Sequence, residues 1–229
     1  MINYREEIAP LSGWLTRREA EFLYRLAFQI KNPKVIVEIG SWKGKSTVCL
    51  GRGVQAGHKA KIFAIDPHVG SSEHQRKFGK VDTFKEFLQN IKKAKVEKNI
   101  SPIRDYSQNV ADKFKEKIGF LFIDGAHEFK YVYQDYKQWF PKLENNGIIS
   151  FHDSWHFPGP HLVILGLALF SSRVRMAGLA DTITYFQKVR KNSFFDRLRN
   201  IAFCFYHFFA GFLGFLRLKY FGSTVVRKK

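Results

Sequence analysis

The sequence predicts an α/β fold: a doubly wound, mostly parallel sheet covered by helices on both faces, with a helical appendage at the C-terminus. Three observations predict it. Short apolar runs of strand length alternate with stretches of helical spacing from Trp14 to Phe170, the signature of βα units laid into a parallel sheet. Four of those runs end in acidic residues or glycine, at Glu38/Gly40, Asp66, Asp124 and Asp153, and such sheets bind ligands outside the carboxyl ends of their strands. The 229 residues are 45% hydrophobic and 25% charged, enough to pack the core of one domain and incompatible with a disordered chain.

The elements follow in order. Trp14 to Ile30 has helical spacing, with Thr16 as N-cap ahead of Arg17-Arg-Glu-Ala-Glu. Val35–Ile39 is an apolar run closed by Gly40, as a buried parallel strand requires. Ser46 to Gln55 is a second helix, and Lys61–Ile65 a second strand ending in Asp66-Pro67. Phe84 to Glu97 is helical, Ile100–Arg104 a short strand, and Phe120–Ile123 a fourth strand ending in Asp124-Gly125. A helix from Tyr131 to Phe140 stops at Pro141. The strand Gly147–Phe151 ends in His152-Asp153, a helix spans His161–Phe170, and Val174–Val189 forms a hairpin turning at Asp181. With the hairpin the sheet has seven strands.

Charge and composition narrow the partners. Lys and Arg number 38 against 20 Asp and Glu, a formal net charge of +18, so an anionic partner is expected. From Arg190 to Lys229 there are nine basic residues and one acidic, Asp196, interleaved with the aromatic run Phe203–Leu216. The chain therefore divides into a domain over 1–190 and a basic-aromatic tail over 191–229. The uncharged stretch Asn200–Leu216 sits at the short edge of the ~17–25 residues that span a bilayer. Basic flanks on both sides favour a helix in the interface of an anionic membrane, with Lys and Arg reaching headgroups. The competing reading is a helix that caps the domain or forms a contact in a homo-oligomer. Nucleic acid is disfavoured, because the aromatics are too continuous for a solvated stacking surface. Cys49 and Cys204 make neither a disulfide framework nor a zinc spacing, and Met1–Glu7 lacks a signal-peptide pattern; both point to a cytoplasmic, peripheral or monotopic protein at the inner face of the membrane.

The chemistry concentrates at the strand ends. Glu38-Ile-Gly40-Ser41-Trp-Lys-Gly44-Lys-Ser46 places glycines at a strand-to-helix turn, where a ligand approaches the backbone closely. Only three residues separate Gly40 from Gly44, one too few for the P-loop, and GxGxxG is absent. Glu38 disfavours a polyphosphate and suits a ligand with a cationic end. Asp66 is placed to accept the two hydroxyls of a ribose, and Arg104-Asp105-Tyr106-Ser107 follows the third strand, where an adenine edge can be read.

Three motifs in order at these strand ends, Val37-Glu-Ile-Gly-Ser-Trp-Lys-Gly-Lys-Ser46, Phe122-Ile-Asp-Gly-Ala-His127 and Asn146-Gly-Ile-Ile-Ser-Phe-His-Asp153, resemble class I S-adenosylmethionine-dependent methyltransferases of the sugar and catechol O-methyltransferase kind. The leading Gly13–Ala20 is also similar to that branch. Asn146 stands where the pattern has glycine. The resemblance implies a Rossmann-like methyltransferase fold over about four-fifths of the chain, and S-adenosylmethionine as cofactor. It implies Glu38, Gly40, Ser41 and Gly44 on the methionine and ribose side, Asp66 at the ribose hydroxyls, Asp105 and Ser107 near adenine, and Asp124 beneath the methyl donor. In such relatives acids at the fourth and fifth strand ends bind Mg²⁺; here the positions are Asp124, His152 and Asp153, and histidine is a poor magnesium ligand. His127 is the candidate general base, with Asp124 and Asp153 as its catalytic company. Asp135 is expected to be a surface or packing residue. The tail and the resemblance together imply methylation of a hydroxyl on a glycan, lipid-linked saccharide or related small acceptor; the rival is a non-catalytic membrane or interaction module on the same scaffold.

Overall fold

A computed structural model describes residues 3–72, 75–76 and 79–221, with side chains through 209. Thr16 opens the first helix as its side chain predicts. Its hydroxyl accepts from the Glu19 N–H, and Glu19 accepts from the Thr16 N–H, so α1 (Arg17–Gln29) begins with a full capping box. The alternation then runs β1 (Val35–Ile39), α2 (Lys45–Ala56), β2 (Ile62–Ile65), α3 (Phe84–Lys93), β3 (Ile100–Ile103), α4 (Ser107–Ala111), β4 (Ile118–Ile123), α5 (Phe129–Trp139), β5 (Leu143–Phe151), α6 (Pro158–Phe170), β6 (Val174–Ala180), β7 (Ile183–Lys188) and α7 (Phe194–Phe221).

The seven strands form one sheet in the order β3-β2-β1-β4-β5-β7-β6. β1 to β5 are parallel, and β7 runs antiparallel between β5 and β6. The chain thus reverses its winding between β1 and β4, the place where open α/β sheets hold ligands. All five residues of β1 and all six of β4 are buried, because helices cover both faces. One face packs α1, α2 and α3 through Leu23, Ala27, Leu50, Phe87 and Ile91; the other packs α5 and α6 through Val132, Trp139, Ile164 and Leu167. Gly53 lets α2 press on α1: a Cβ there would lie 2.4 Å from the Tyr24 carbonyl oxygen.

One local expectation changes, and two features are added. The helix from Phe84 ends at Lys93, because Lys95 turns with φ +56° before Val96 enters the core. Asn146 has φ +65°, which explains both the glycine at that place in the pattern and the tolerance of asparagine, a side chain that visits the left-handed region. The segment 107–111, to which the sequence assigns no element, is helical, α4.

The tail is helical, but its first half does not leave the domain. Asn200, Phe203, Cys204 and His207 are buried, one helical stripe at spacings of three and four. Phe203 meets Phe186 of β7 edge to face, and Asn200 satisfies the outer edge of β6 by accepting from Met176 N and donating to Val174 O, both at 2.8 Å. Among the described residues, no helix is long and apolar enough to cross a membrane.

Candidate functional site

A cavity of about 410 Å³ opens over the carboxyl ends of the parallel strands, within the usual range for a small-molecule site. Its floor is the turn after β1. Gly40 takes φ +86°, and a Cβ there would stand 2.2 Å from the Asp124 carbonyl oxygen, so only glycine lets the β1 and β4 ends lie this close. Ser41 lines the cavity with its hydroxyl buried and without a protein partner. Asp66, Ser107, Asp124, His127, His152 and Asp153 also line it.

Three of the sequence-predicted residues act from behind the wall. Glu38 is fully buried beneath the turn, accepting from the Thr47 hydroxyl through one oxygen and leaving the other unpaired. Burial pushes its carboxyl up to about 8, against the lowering effect of the Ser46 and Thr47 hydroxyls. Gly44 caps α2 at φ +88° and accepts from Val48 N. Asp105 is turned to its own loop, accepting from Tyr106 N and Asn109 Nδ2. Asp66 lines the cavity but also braces it: its two oxygens accept from Trp42 N at 2.7 Å and His68 N at 2.6 Å.

Asp135 is the packing residue of the two alternatives expected for it, and it also reaches the cavity. It is buried, lines the cavity and accepts from the Ser107 hydroxyl, joining α5 to α4, and burial pushes its carboxyl up to about 6. The approach of α4 buries it. Glu19 was missed altogether. Only its capping-box spacing is visible in the sequence, whereas the structure places its carboxylate against Thr182 N at 2.9 Å and 3.5 Å from His152 Nε2.

His152 organises the acidic side of the cavity. Its Nδ1 lies 3.0 Å from Asp124 Oδ1 and 3.4 Å from Asp153 Oδ2, while Nε2 faces Glu19. Burial opposes the imidazolium, but Asp124 and the other carboxylates raise its pKa well above the ordinary value. Glu19 in turn is held down at about 2 despite burial, by His152, Thr182 and Thr16. Asp153 sits well below the usual carboxylate range, burial being outweighed by His152 and His156. Ligand atoms of Asp124, His152 and Asp153 fall within 4.8 Å of one another, as a metal site requires. Histidine, however, is a poor magnesium ligand, and the carboxylates facing both of its nitrogens favour the protonated ring, which has no lone pair for a cation. The three residues converge, but this donor set does not fit Mg²⁺ with His152 as a ligand; His152 itself supplies the positive charge between the acids. His127 stacks on Phe157 with ring centroids 3.9 Å apart, and its Nε2 lies 3.4 Å from Asp153 Oδ2.

Residues 37–154 match the family described as "Methyltransferase domain". A curated relative, the uncharacterized protein y4gI of Sinorhizobium fredii (strain NBRC 101917 / NGR234), is 28% identical over 146 residues, 63% of this chain; the match spans 15% of that protein's length. Among solved structures, the O-methyltransferase NovP superposes with a TM-score of 0.66 at 15% identity, covering 76% of this chain and 80% of that one. The S-adenosylhomocysteine-bound Podospora anserina methyltransferase PaMTH1 gives 0.57 at 18% identity, covering 76% and 80%. At these identities the structural likeness is one of fold.

Proposed function

This chain belongs to the methyltransferase-domain family, and on that premise we propose that it transfers a methyl group from S-adenosylmethionine to a hydroxyl of a glycan, lipid-linked saccharide or related small acceptor at a membrane surface. The observation that carries the cofactor is the Gly40 turn: a cavity floor only glycine can make, with the Ser41 hydroxyl beside it lining the cavity, buried and without a protein partner. A buried polar atom that lines a cavity and lacks a protein partner is suited to bond a bound molecule. The Gly40 turn and the Ser41 hydroxyl fit the amino-acid end of S-adenosylmethionine, Asp66 lines the cavity on the side proposed for the ribose, and the carboxylates of Asp124 and Asp153 suit a sulfonium charge. When bound, the cofactor supplies an electrophilic methyl group.

The residues of this chain handle the acceptor's proton. His127 takes it from the hydroxyl as oxygen attacks. The Asp153 carboxylate, 3.4 Å away, stabilises the imidazolium that results, and the Phe157 ring holds the imidazole plane. His152 and His156 hold the Asp153 carboxyl well below the usual range against burial, whereas burial pushes the Asp124 carboxyl up despite His152. The acceptor class draws support from NovP being an O-methyltransferase and from the tail. Helix α7 buries one stripe on the domain and exposes Phe194, Phe195 and Leu198 at its start, beside Arg190, Lys191 and Arg197, a combination suited to an anionic bilayer. Calorimetric titration with S-adenosylhomocysteine tests the reading: saturable binding is expected, and its absence favours the non-catalytic scaffold. A methyl-transfer screen against lipid and glycan extracts then names the acceptor.

A further inference from the structure

The end of the sheet opposite the cavity carries a second charge pattern, with the reverse sign. The residue immediately before β1 is Lys34, before β2 Lys61, before β4 Lys117, before β5 Lys142 and before β6 Arg173. The backbone sets them side by side: Val35 N donates to Lys117 O and Ile36 N to Lys61 O, each at 2.9 Å, across neighbouring strands. Adjacent strands lie ~4.8 Å apart, within the ~8 Å screening length of physiological salt, so these charges reinforce one another along an edge about 29 Å long across seven strands. Among the described residues, none of the five reaches a carboxylate at ion-pair distance; the ion pairs of the molecule lie elsewhere. Glu116 and Glu144 are interspersed and leave the edge strongly basic.

One corner of this edge is also the greasiest surface of the described chain. Helix α6 ends there at Phe170, and α7 begins there, tied down by Asn192 N to Ser172 O at 2.7 Å and Arg197 to the carbonyls of Leu169 and Ser171. Phe170, Phe195 and Phe194 are 83%, 78% and 72% exposed, the three most exposed large hydrophobics among the described residues, and Arg173, Arg190 and Lys191 flank them. Lys142 donates to the Phe114 carbonyl at 3.2 Å and Lys61 lies over the Phe63 ring, so the row is bonded in part but not neutralised; protruding phenylalanines beside such a row suit headgroups above an acyl layer. A nucleic acid would be met by the cations alone, since the row from Lys61 to Lys142 carries no comparable aromatic.

We infer that the amino edge of the sheet, with Phe170, Phe194 and Phe195 at its corner, is the face that rests on an anionic bilayer. The inference rests on the membrane part of the function proposed above and deepens it. Docked this way, the cavity opens away from the lipid, on the order of 20 Å above the headgroups given the length of the strands. The acceptor hydroxyl is then on the outer part of an extended glycan or on a water-borne molecule, and a headgroup-proximal hydroxyl is out of reach.

Sedimentation of the full chain with vesicles tests this, comparing phosphatidylcholine alone with phosphatidylcholine plus phosphatidylglycerol. The wild type is expected to pellet with the anionic vesicles. Combining Lys61→Glu, Lys117→Glu and Arg173→Glu should lower partitioning by about 100-fold or more, at roughly fivefold per cation removed. Phe194→Ser with Phe195→Ser should weaken it as well. Phe208→Ser with Phe209→Ser, farther along α7, should not, and the edge variants should keep wild-type affinity for S-adenosylhomocysteine. An edge triple variant that sediments like the wild type, or a loss confined to the Phe208/Phe209 variant, overturns the inference while leaving membrane association standing. A wild type indifferent to both vesicles removes the membrane reading and this one together, as does edge-dependent retention on polyuridylate instead of lipid.

Discussion

Glu38 is where charge and burial are most at odds. Its carboxyl is pushed up to about 8 in the folded chain against an ordinary value near 4.5. Between those values the unfolded state has lost a proton that the folded state keeps, so this group subtracts stability as pH rises from 4.5 to 8. Glu38→Gln should therefore raise the melting temperature of the ligand-free protein at pH 8 and leave it nearly unchanged at pH 4.5; equal shifts at both would show that Glu38 is not held protonated. Glu19 has the opposite sign. Held down at about 2, it contributes stability that is present above its unfolded value and is lost as pH falls towards 2. Glu19→Ala strips a carboxylate from the buried His152 ring and the cap from Thr16, which should cost about 3–5 kcal/mol at neutral pH. Urea unfolding reads this directly, and a cost below about 1 kcal/mol would mean the buried pair is not formed.

At the scale of elements, α7 decides the most. From composition the segment after Arg190 reads as separable, because aromatic and basic residues run on without polar interruption. In the fold, its buried stripe covers β7 through Phe203 and closes the open edge of β6 through Asn200. A chain ending at Lys191 should consequently lose several kcal/mol, since a single buried phenylalanine is worth about 3–5 kcal/mol when removed. It should also aggregate through the freed β6 edge. Asn200→Ala isolates the second effect and should cost about 1–3 kcal/mol by stranding Met176 N–H and Val174 C=O. A truncated chain as stable as the full one in thermal unfolding would return α7 to the status of an appendage.

Across the whole molecule, charge is sorted along the strand direction: acids at the carboxyl ends around the cavity, bases at the amino ends. The acid end is neutralised from within. Because His152 already lies between Glu19, Asp124 and Asp153, methyl transfer should survive excess chelator, and added Mg²⁺ should not increase it. Loss of turnover in chelator with recovery on Mg²⁺ would show that His152 gives way to a metal. Cofactor binding also links to global stability, so S-adenosylhomocysteine at 100 times its dissociation constant should add about 2.7 kcal/mol to unfolding.

The sequence by itself determined the fold class, the order of the strands along the chain and the end of the sheet that holds the site. Apolar runs long enough for a strand and too continuous for one exposed face can only be buried between helices, and a glycine or acid at each carboxyl end survives there because that edge is open. It also placed Gly40, Ser41, Asp66, Ser107, Asp124, His127, His152 and Asp153 around one cavity, since each sits within a few residues of a strand end. What only the tertiary structure decided is how groups distant along the chain neutralise one another. Glu19 reaches His152 across 133 positions of sequence, and Asp135 is buried by Ser107 from a neighbouring helix. The tail's first half belongs to the core because α6 and the edge of β6 offer it a face. No local period records those encounters: a carboxylate on a helix looks the same in sequence whether solvent or a buried imidazole waits opposite, and only packing chooses between them.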